Sequence, residues 1–317
     1  MNNAIKIFLI LLAVAIVAII VIDYRNNQAD KRGGNPFEYD MDNYKSVDEE
    51  WIKYKETRQL KLNAMRMGGI AYNNQKLYLV ADDFLQVLSK QGGSLYKASL
   101  GDTATCIAVR NDTLVIGFNN HIRHFILSND LKEISRTDMF SDRSFFTSVD
   151  FDNHHIYVAD AGERAVVVFN KECQEISRFT GVSDPGSQHG FIIPSPYFDL
   201  RVNGDNELWV TNPGKHALQC YSPKGDLLNQ WKKASVKIDG FTGCCNPAHF
   251  TILDNGNFIT SEKGLVRIKE YDRKGNLLAV VGAPDKFNTE EGKAPDVTSD
   301  EDGTVIALDY DKKMIRF

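Results

Sequence analysis

The sequence predicts an all-β fold: a six-bladed β-propeller closed by an N-terminal strand and preceded by one N-terminal transmembrane helix. Three observations carry this. A four-strand pattern recurs about every 36 to 51 residues through most of the chain. An unbroken apolar run, Ile7 to Ile22, opens the chain. Beyond it no long amphipathic helical pattern occurs, and the apolar runs are separated by Gly, Asp and Asn, which accept the positive φ and side-chain bonding of tight turns.

Taken in order, residues 1–22 read as a transmembrane signal anchor. The sixteen residues from Ile7 to Ile22 are extended by Ala4 and Ile5 past Lys6, whose ammonium can snorkel to the interface. That length is at the lower end of the ~20 residues a span needs. The run ends Val21, Ile22, Asp23, Tyr24, without the small residues of a cleavage site, so the anchor is expected to stay and to hold the chain to a membrane through residues 5–22. Arg25, Lys31 and Arg32 on the far side would keep the following domain in the cytoplasm by the positive-inside rule. The very short N-tail resembles an exporting signal anchor instead, and a periplasmic or extracellular domain is the expectation. Residues 23–48 are polar and read as a flexible stalk.

Residues 49–317 form the propeller. Copies of the repeat begin at Lys76, Thr113, His155, Glu207, Asn257 and Thr304. In each, a β-rich run such as Ile156 to Ala159 ends in a polar residue. A second run follows (Ala165 to Phe169), then a tight turn such as Pro223-Lys224-Gly225-Asp226, then a third run (Leu227 to Trp231). A further run precedes each copy, as Thr147 to Phe151 does, which makes four strands, a to d. The last copy stops at Phe317 after strand c. An open blade leaves an unpaired edge, and Trp51 to Leu62, WIKYKETRQLKL, is predicted to fill it as the outer strand.

These blades resemble NHL repeats, with His155 to Phe169 the nearest match, and the resemblance covers about residues 50 to 317. The segment around Cys244 is similar to that of membrane-anchored bacterial NHL-type proteins. The resemblance implies the propeller. It leaves function open, because NHL propellers include sensor domains, RNA- and protein-binding scaffolds, and lyases.

The net charge of −5 offers no basic face for nucleic acid, so no nucleic-acid partner is expected. There is no GxSxG, no P-loop and no dinucleotide fingerprint. No three histidines fall at equivalent blade positions, so neither an axial metal nor a cofactor is expected. Five cysteines, an odd number, do not make a disulfide framework.

Strand alternation places the b–c turns and the d–a connections on one rim. Long loops on a rigid ring are where binding sites tend to be built. The b–c turns contribute Asp160, Arg164, Asn212, Glu262, Lys263 and Asp309, and the d–a connections contribute His189, Tyr197, Cys244, Cys245, Asn246 and His249. FTGCCNPAHF, Phe241 to Phe250, is the connection into blade five and should face that blade's TSEKG turn. Its cysteine pair has three readings: a stiffened turn, a ligand or redox site, or metal ligands together with His249. Adjacent Cα atoms lie closer than ordinary disulfide geometry allows, so a bridge there would be strained and reducible. The function expected is binding of a protein, peptide or small molecule at the channel rim. The alternative is a redox or lyase-type enzyme or accessory using the cysteines with Glu262 as a base and Lys263 as an anion partner.

Overall fold

The structure, a computed structural model, describes residues 6, 12, 14–22, 44–181, 189–287 and 292–317. The chain divides into two compact units, Met1–Asn43 and Tyr44–Phe317. The expected anchor is described only in part. Its described residues are helical, and among the described residues no helix is long and apolar enough to cross a membrane. Most of the expected stalk lies outside the described residues.

In the second unit the described residues form six four-stranded antiparallel sheets. Blade one holds Met67–Asn73, Lys76–Ala81, Phe84–Ser89 and Ser94–Ser99, and blade two Ala104–Arg110, Thr113–Phe118, Ile122–Leu127 and Leu131–Arg136. Blade three holds Phe146–Phe151, Ile156–Asp160, Ala165–Phe169 and Glu175–Phe179, and blade four Leu200–Val202, Leu208–Asn212, Ala217–Tyr221 and Leu227–Lys232. Blade five holds His249–Ile252, Phe258–Ser261, Ile268–Tyr271 and Leu277–Gly282. Blade six takes Asp296–Ser299, Val305–Asp309 and Met314–Arg316 from the C-terminal end and Gln59–Lys61 from upstream of blade one.

The strand sequences explain their depth. A blade is covered on both faces by its neighbours, so its middle strands read as continuous apolar runs. Ile156–Asp160 and Ala165–Phe169 are buried at every position. Outer strands such as Leu131–Arg136 alternate half-buried with exposed, because one edge meets water. Six apolar clusters follow, one for each contact between neighbouring blades. Phe146, Val149, Val158 and Cys106 join blades two and three, and Leu79, Ile306, Leu308 and Ile315 join six and one. Each large apolar side chain buried this way contributes about 1.5–3 kcal/mol.

The closure of blade six is narrower than the run Trp51 to Leu62. Gln59–Lys61 pairs with Met314–Arg316, and Leu60 and Leu62 pack into the cluster between blades six and one. Upstream, the chain leaves that edge. Ile52 makes a parallel bridge to Val280 of blade five, and the Tyr54 hydroxyl donates to Glu270. Tyr54 packs with the cluster between blades five and six, so its ring is the physical reason the segment turns aside.

Strand a is the inner edge of every sheet, and its free backbone groups need partners. The neighbouring blade supplies them from side chains. Asp150 accepts from Val202 N at 2.8 Å, Asp199 from Phe250 N at 2.9 Å, and Asp296 from Ile70 N at 3.0 Å. The Thr105 and Thr147 hydroxyls donate to the Phe146 and Phe198 carbonyls of the next blade. Polar groups on the axis therefore knit the ring before they do anything else.

Candidate functional site

Strand register puts three of these axial residues in one column. Ser148 of blade three faces Ala159, the penultimate residue of its strand b. In blade four Asp199 holds that place, its carbonyl accepting from Thr211 N. His249 faces Ser261 in blade five, and Asp296 faces Leu308 in blade six. Gly69 and Cys106 complete the column in blades one and two. A Cβ on Gly69 would lie 3.3 Å from Asp296 Oδ2, so the glycine leaves the carboxylate room.

Asp199, His249 and Asp296 can each offer one ligand atom, all within 4.8 Å of one another. His249 Nδ1 lies 3.7 Å from Asp199 Oδ2 and 4.0 Å from Asp296 Oδ1. Arg201 bridges the two carboxylates from below, at 2.9 Å to Asp199 Oδ1 and 3.5 Å to Asp296 Oδ1. Asp199 Oδ1 also accepts from Ser148 Oγ at 2.5 Å and from Leu200 N. The two acids differ for this reason. Burial raises both, but Arg201 and His249 outweigh it at Asp199, which is held below the ordinary carboxylate value. At Asp296 burial wins and Asp199 adds to it, so the group is held above that value. Two carboxylates against one guanidinium leave the cluster one positive charge short. A proton, a metal cation or a ligand ammonium would balance it.

Two tyrosines and a lysine roof the cluster. The Tyr197 ring meets His249 edge-on at 5.4 Å, and Tyr310 lies 6.3 Å from the same imidazole. Burial pushes the Tyr310 phenol well above its ordinary value, so it stays protonated. Lys263 Nζ sits 5.3 Å from the Tyr197 ring. His249 is largely covered, at 14% exposure of its side chain, and its Nε2 makes no hydrogen bond to any described residue.

The FTGCC connection packs on the TSEKG turn. Asn246 is the clamp: its amide nitrogen donates to Thr242 O and Lys263 O, and its oxygen accepts from Lys263 N. Cys244 and Cys245 are unbridged, with sulfurs 3.2 Å apart. Cys244 is exposed and Cys245 buried. Burial pushes the Cys245 thiol up, and Lys263 opposes that.

The rim residues expected from the sequence divide into two groups. Cys244, Cys245, Asn246, His249, Lys263 and Tyr197 gather at the mouth. Glu262 does not join them as a base. It is fully buried, between Arg267 at 2.7 Å and Lys269 at 2.8 Å. Those cations hold the 237–240 backbone in turn, through Ile238 O and Gly240 O. Asp160 and Asp309 cap their b–c turns through backbone amides, and Asn212 binds Ile192 N and Gln219. All three are buried. Arg164 and His189 are exposed, and His189 borders 182–188, outside the described residues. Asp199, Asp296 and Arg201 were missed. Histidines alone were compared across blades, whereas the column mixes carboxylates with imidazole. Aligning FDLRV, HFTIL and DVTSD by strand a would have revealed it.

On the a–b-turn side of the cluster, a cavity of about 490 Å³ opens along the axis, lined among others by Arg110, Asp150, Arg201 and Asp205.

No family model matches the chain. A probable peptidyl-alpha-hydroxyglycine alpha-amidating lyase of Caenorhabditis elegans is 26% identical over 140 residues, 44% of this chain. The match spans 38% of that relative's length. Among solved structures, a streptogramin B lyase is 13% identical with a TM-score of 0.57, over 85% of this chain and 98% of that one. The virginiamycin B lyase of Staphylococcus aureus is 14% identical with a TM-score of 0.53, over 82% and 87%. A Bacteroides thetaiotaomicron protein of unknown function is 14% identical with a TM-score of 0.56, over 84% and 72%. At these identities the structural likeness shows the propeller alone.

Proposed function

We propose that this chain is a membrane-anchored, NHL-type propeller, facing the periplasm or the cell exterior, that binds a small polar ligand or a peptide end at the channel mouth through a positive centre. One observation carries the reading. Asp199, His249 and Asp296 occupy one position in three successive blades, and their donor atoms converge within 4.8 Å. Their charge is short by one positive unit, under a roof of Tyr197 and Tyr310. A ligand ammonium or a hard divalent cation fits that donor set of oxygen and imidazole nitrogen. The test is calorimetric titration of the full-length chain with Mg²⁺, Mn²⁺ and Zn²⁺, and separately with a small peptide bearing a free amine. Binding that is lost in Asp296→Asn supports the reading, because Asn keeps an acceptor for Ile70 N while removing the charge. Equal binding by Asp296→Asn, or no binding in either arm, overturns it.

A lyase-type enzyme is the second reading, favoured by His249. Its Nδ1 faces two carboxylates that orient it, and its Nε2 engages no described residue. Glu262 has no part in this version.

A further inference from the structure

Three of the five cysteines are sealed inside blades. Burial raises Cys106 and Cys220 to about 12 and also pushes Cys173 up. Cys244 and Cys245 stand apart. Their sulfurs are already in contact at 3.2 Å, one at the surface and one beneath it. The turn that carries them is fixed on both sides. Phe241 is buried between blades four and five, its amide bonded to Lys233 O, and Asn246 is clamped to Lys263. Gly243, at φ +69°, adopts the left-handed backbone that turns the chain into the pair, and beyond its two chain neighbours no atom lies within 4 Å of where its Cβ would be. The Cys244 side is exposed. Lys263 supplies positive charge on the same rim.

We propose that Cys244 and Cys245 form a thiol–disulfide exchange site for a small or peptide-borne disulfide presented at the rim, with Cys244 the attacking and Cys245 the resolving sulfur. The Cys244 thiolate attacks one sulfur of R–S–S–R′. The R′ thiolate leaves and takes a proton from water, and a mixed disulfide remains. Cys245 gives its proton to solvent and attacks the Cys244 sulfur, and R leaves as a thiol. Two protein thiols are oxidised to one bridge, and one external disulfide is reduced to two thiols. The bridge joins neighbours whose Cα atoms are closer than relaxed disulfides permit, so it is readily reduced again. That lability suits exchange. A permanent staple would need a relaxed bridge, and the clamp through Asn246 already stiffens the turn without one. The site is independent of the axial cluster, so neither reading falls with the other.

The experiment mixes the full-length chain with an aromatic disulfide whose released thiolate absorbs visible light. The expected result is two thiolates released per chain and a mass lower by two hydrogens. Because Cys245 is buried, alkylation is carried out after unfolding in denaturant; both cysteines should then be lost to it and regained on reduction. Cys245→Ser should release one thiolate and keep the aromatic group on residue 244, and Cys244→Ser should react far more slowly. Thermal unfolding confirms that both variants are folded. A stable adduct on Cys244 of the unaltered chain, with Cys245 still open to alkylation, overturns the proposal. So does Cys244→Ser reacting at the unaltered rate, or the absence of any release.

Discussion

Glu262→Gln is the sharpest test of how the mouth is held. The carboxylate is fully buried, and its oxygens take Arg267 Nε at 3.0 Å, Arg267 Nη2 at 2.7 Å and Lys269 Nζ at 2.8 Å. Removing the charge leaves the two cations in the interior facing neutral acceptors only, the Gln amide oxygen and backbone carbonyls. Breaking a buried pair in this way costs about 3–5 kcal/mol. For a domain near this size, each kcal/mol lowers Tm by about 2–4 °C, so the melting temperature should drop by roughly 6–20 °C. The loss should depend on pH. Burial holds Lys269 down at about 8, against an ordinary 10.5, and Glu262 is what opposes that burial. Without Glu262 the folded-state value falls further. The folded chain then sheds this proton at lower pH than the unfolded chain does. Stability rises with pH between folded and unfolded values, and the unaltered protein begins that rise only at about 8, so the deficit narrows as pH climbs from the variant's lower folded value toward about 8 and is constant beyond it. The assay is thermal and denaturant unfolding of both forms across that range. A loss below about 1 kcal/mol, or a deficit indifferent to pH, would refute the buried-triad argument.

Four other outcomes are expected. His121 and His124 are buried and held below their ordinary 6.5 by that burial, with Arg123 adding to it at His121 and the Lys171 carbonyl that His124 Nδ1 meets opposing it at His124. Their contribution is complete above 6.5 and is lost as pH falls through the folded values, so Tm should decline on mild acidification; His124→Gln should flatten that decline, and an unchanged slope would contradict it. In Gly162→Ala, the new Cβ would run into the Arg143 carbonyl oxygen, so backbone must move and about 1–3 kcal/mol of stability should be lost, read as a lower denaturant midpoint. Deleting residues 44–62 should expose the edge of Met314–Arg316, and size-exclusion chromatography should then show association of the variant. Asn246→Ala should loosen the cysteine turn, read as faster amide exchange at Lys263, whose N–H is bonded to Asn246 Oδ1 at 2.8 Å.

Much of this molecule is legible along the chain. Strand period, turn residues and recurrence interval are local properties, so the blades and even the borrowed strand Gln59–Lys61 follow from composition and spacing. The pairing of the FTGCC connection with the TSEKG turn also follows, because alternating strand direction decides which rim a loop reaches. The roles of the rim residues do not follow. Asp160, Asn212 and Asp309 look like ligand groups in a list of turn residues, yet each is buried with one side-chain oxygen bonded by backbone amides, and Arg316 holds the other oxygen of Asp309. Glu262 looks like a free base until Arg267 and Lys269, three and five residues past Gly264, are seen folded back onto it.

The amino-acid order thus determined the number of blades and the place of the cysteine pair, since each depends on neighbours within about fifty residues, and it marked the upstream run that closes the last blade because that blade's own copy of the repeat lacks a fourth strand. The shared strand position of Asp199, His249 and Asp296, spread over 98 residues, can be aligned, but only the closed ring decided that their donor atoms converge within 4.8 Å. Burial then separated carboxylates that look alike on paper. Asp296 is held above the ordinary value and Asp199 below it, because one guanidinium and one imidazole sit closer to the second than to the first. Such distances are set by how six sheets pack about an axis, and no local stretch of sequence encodes that packing.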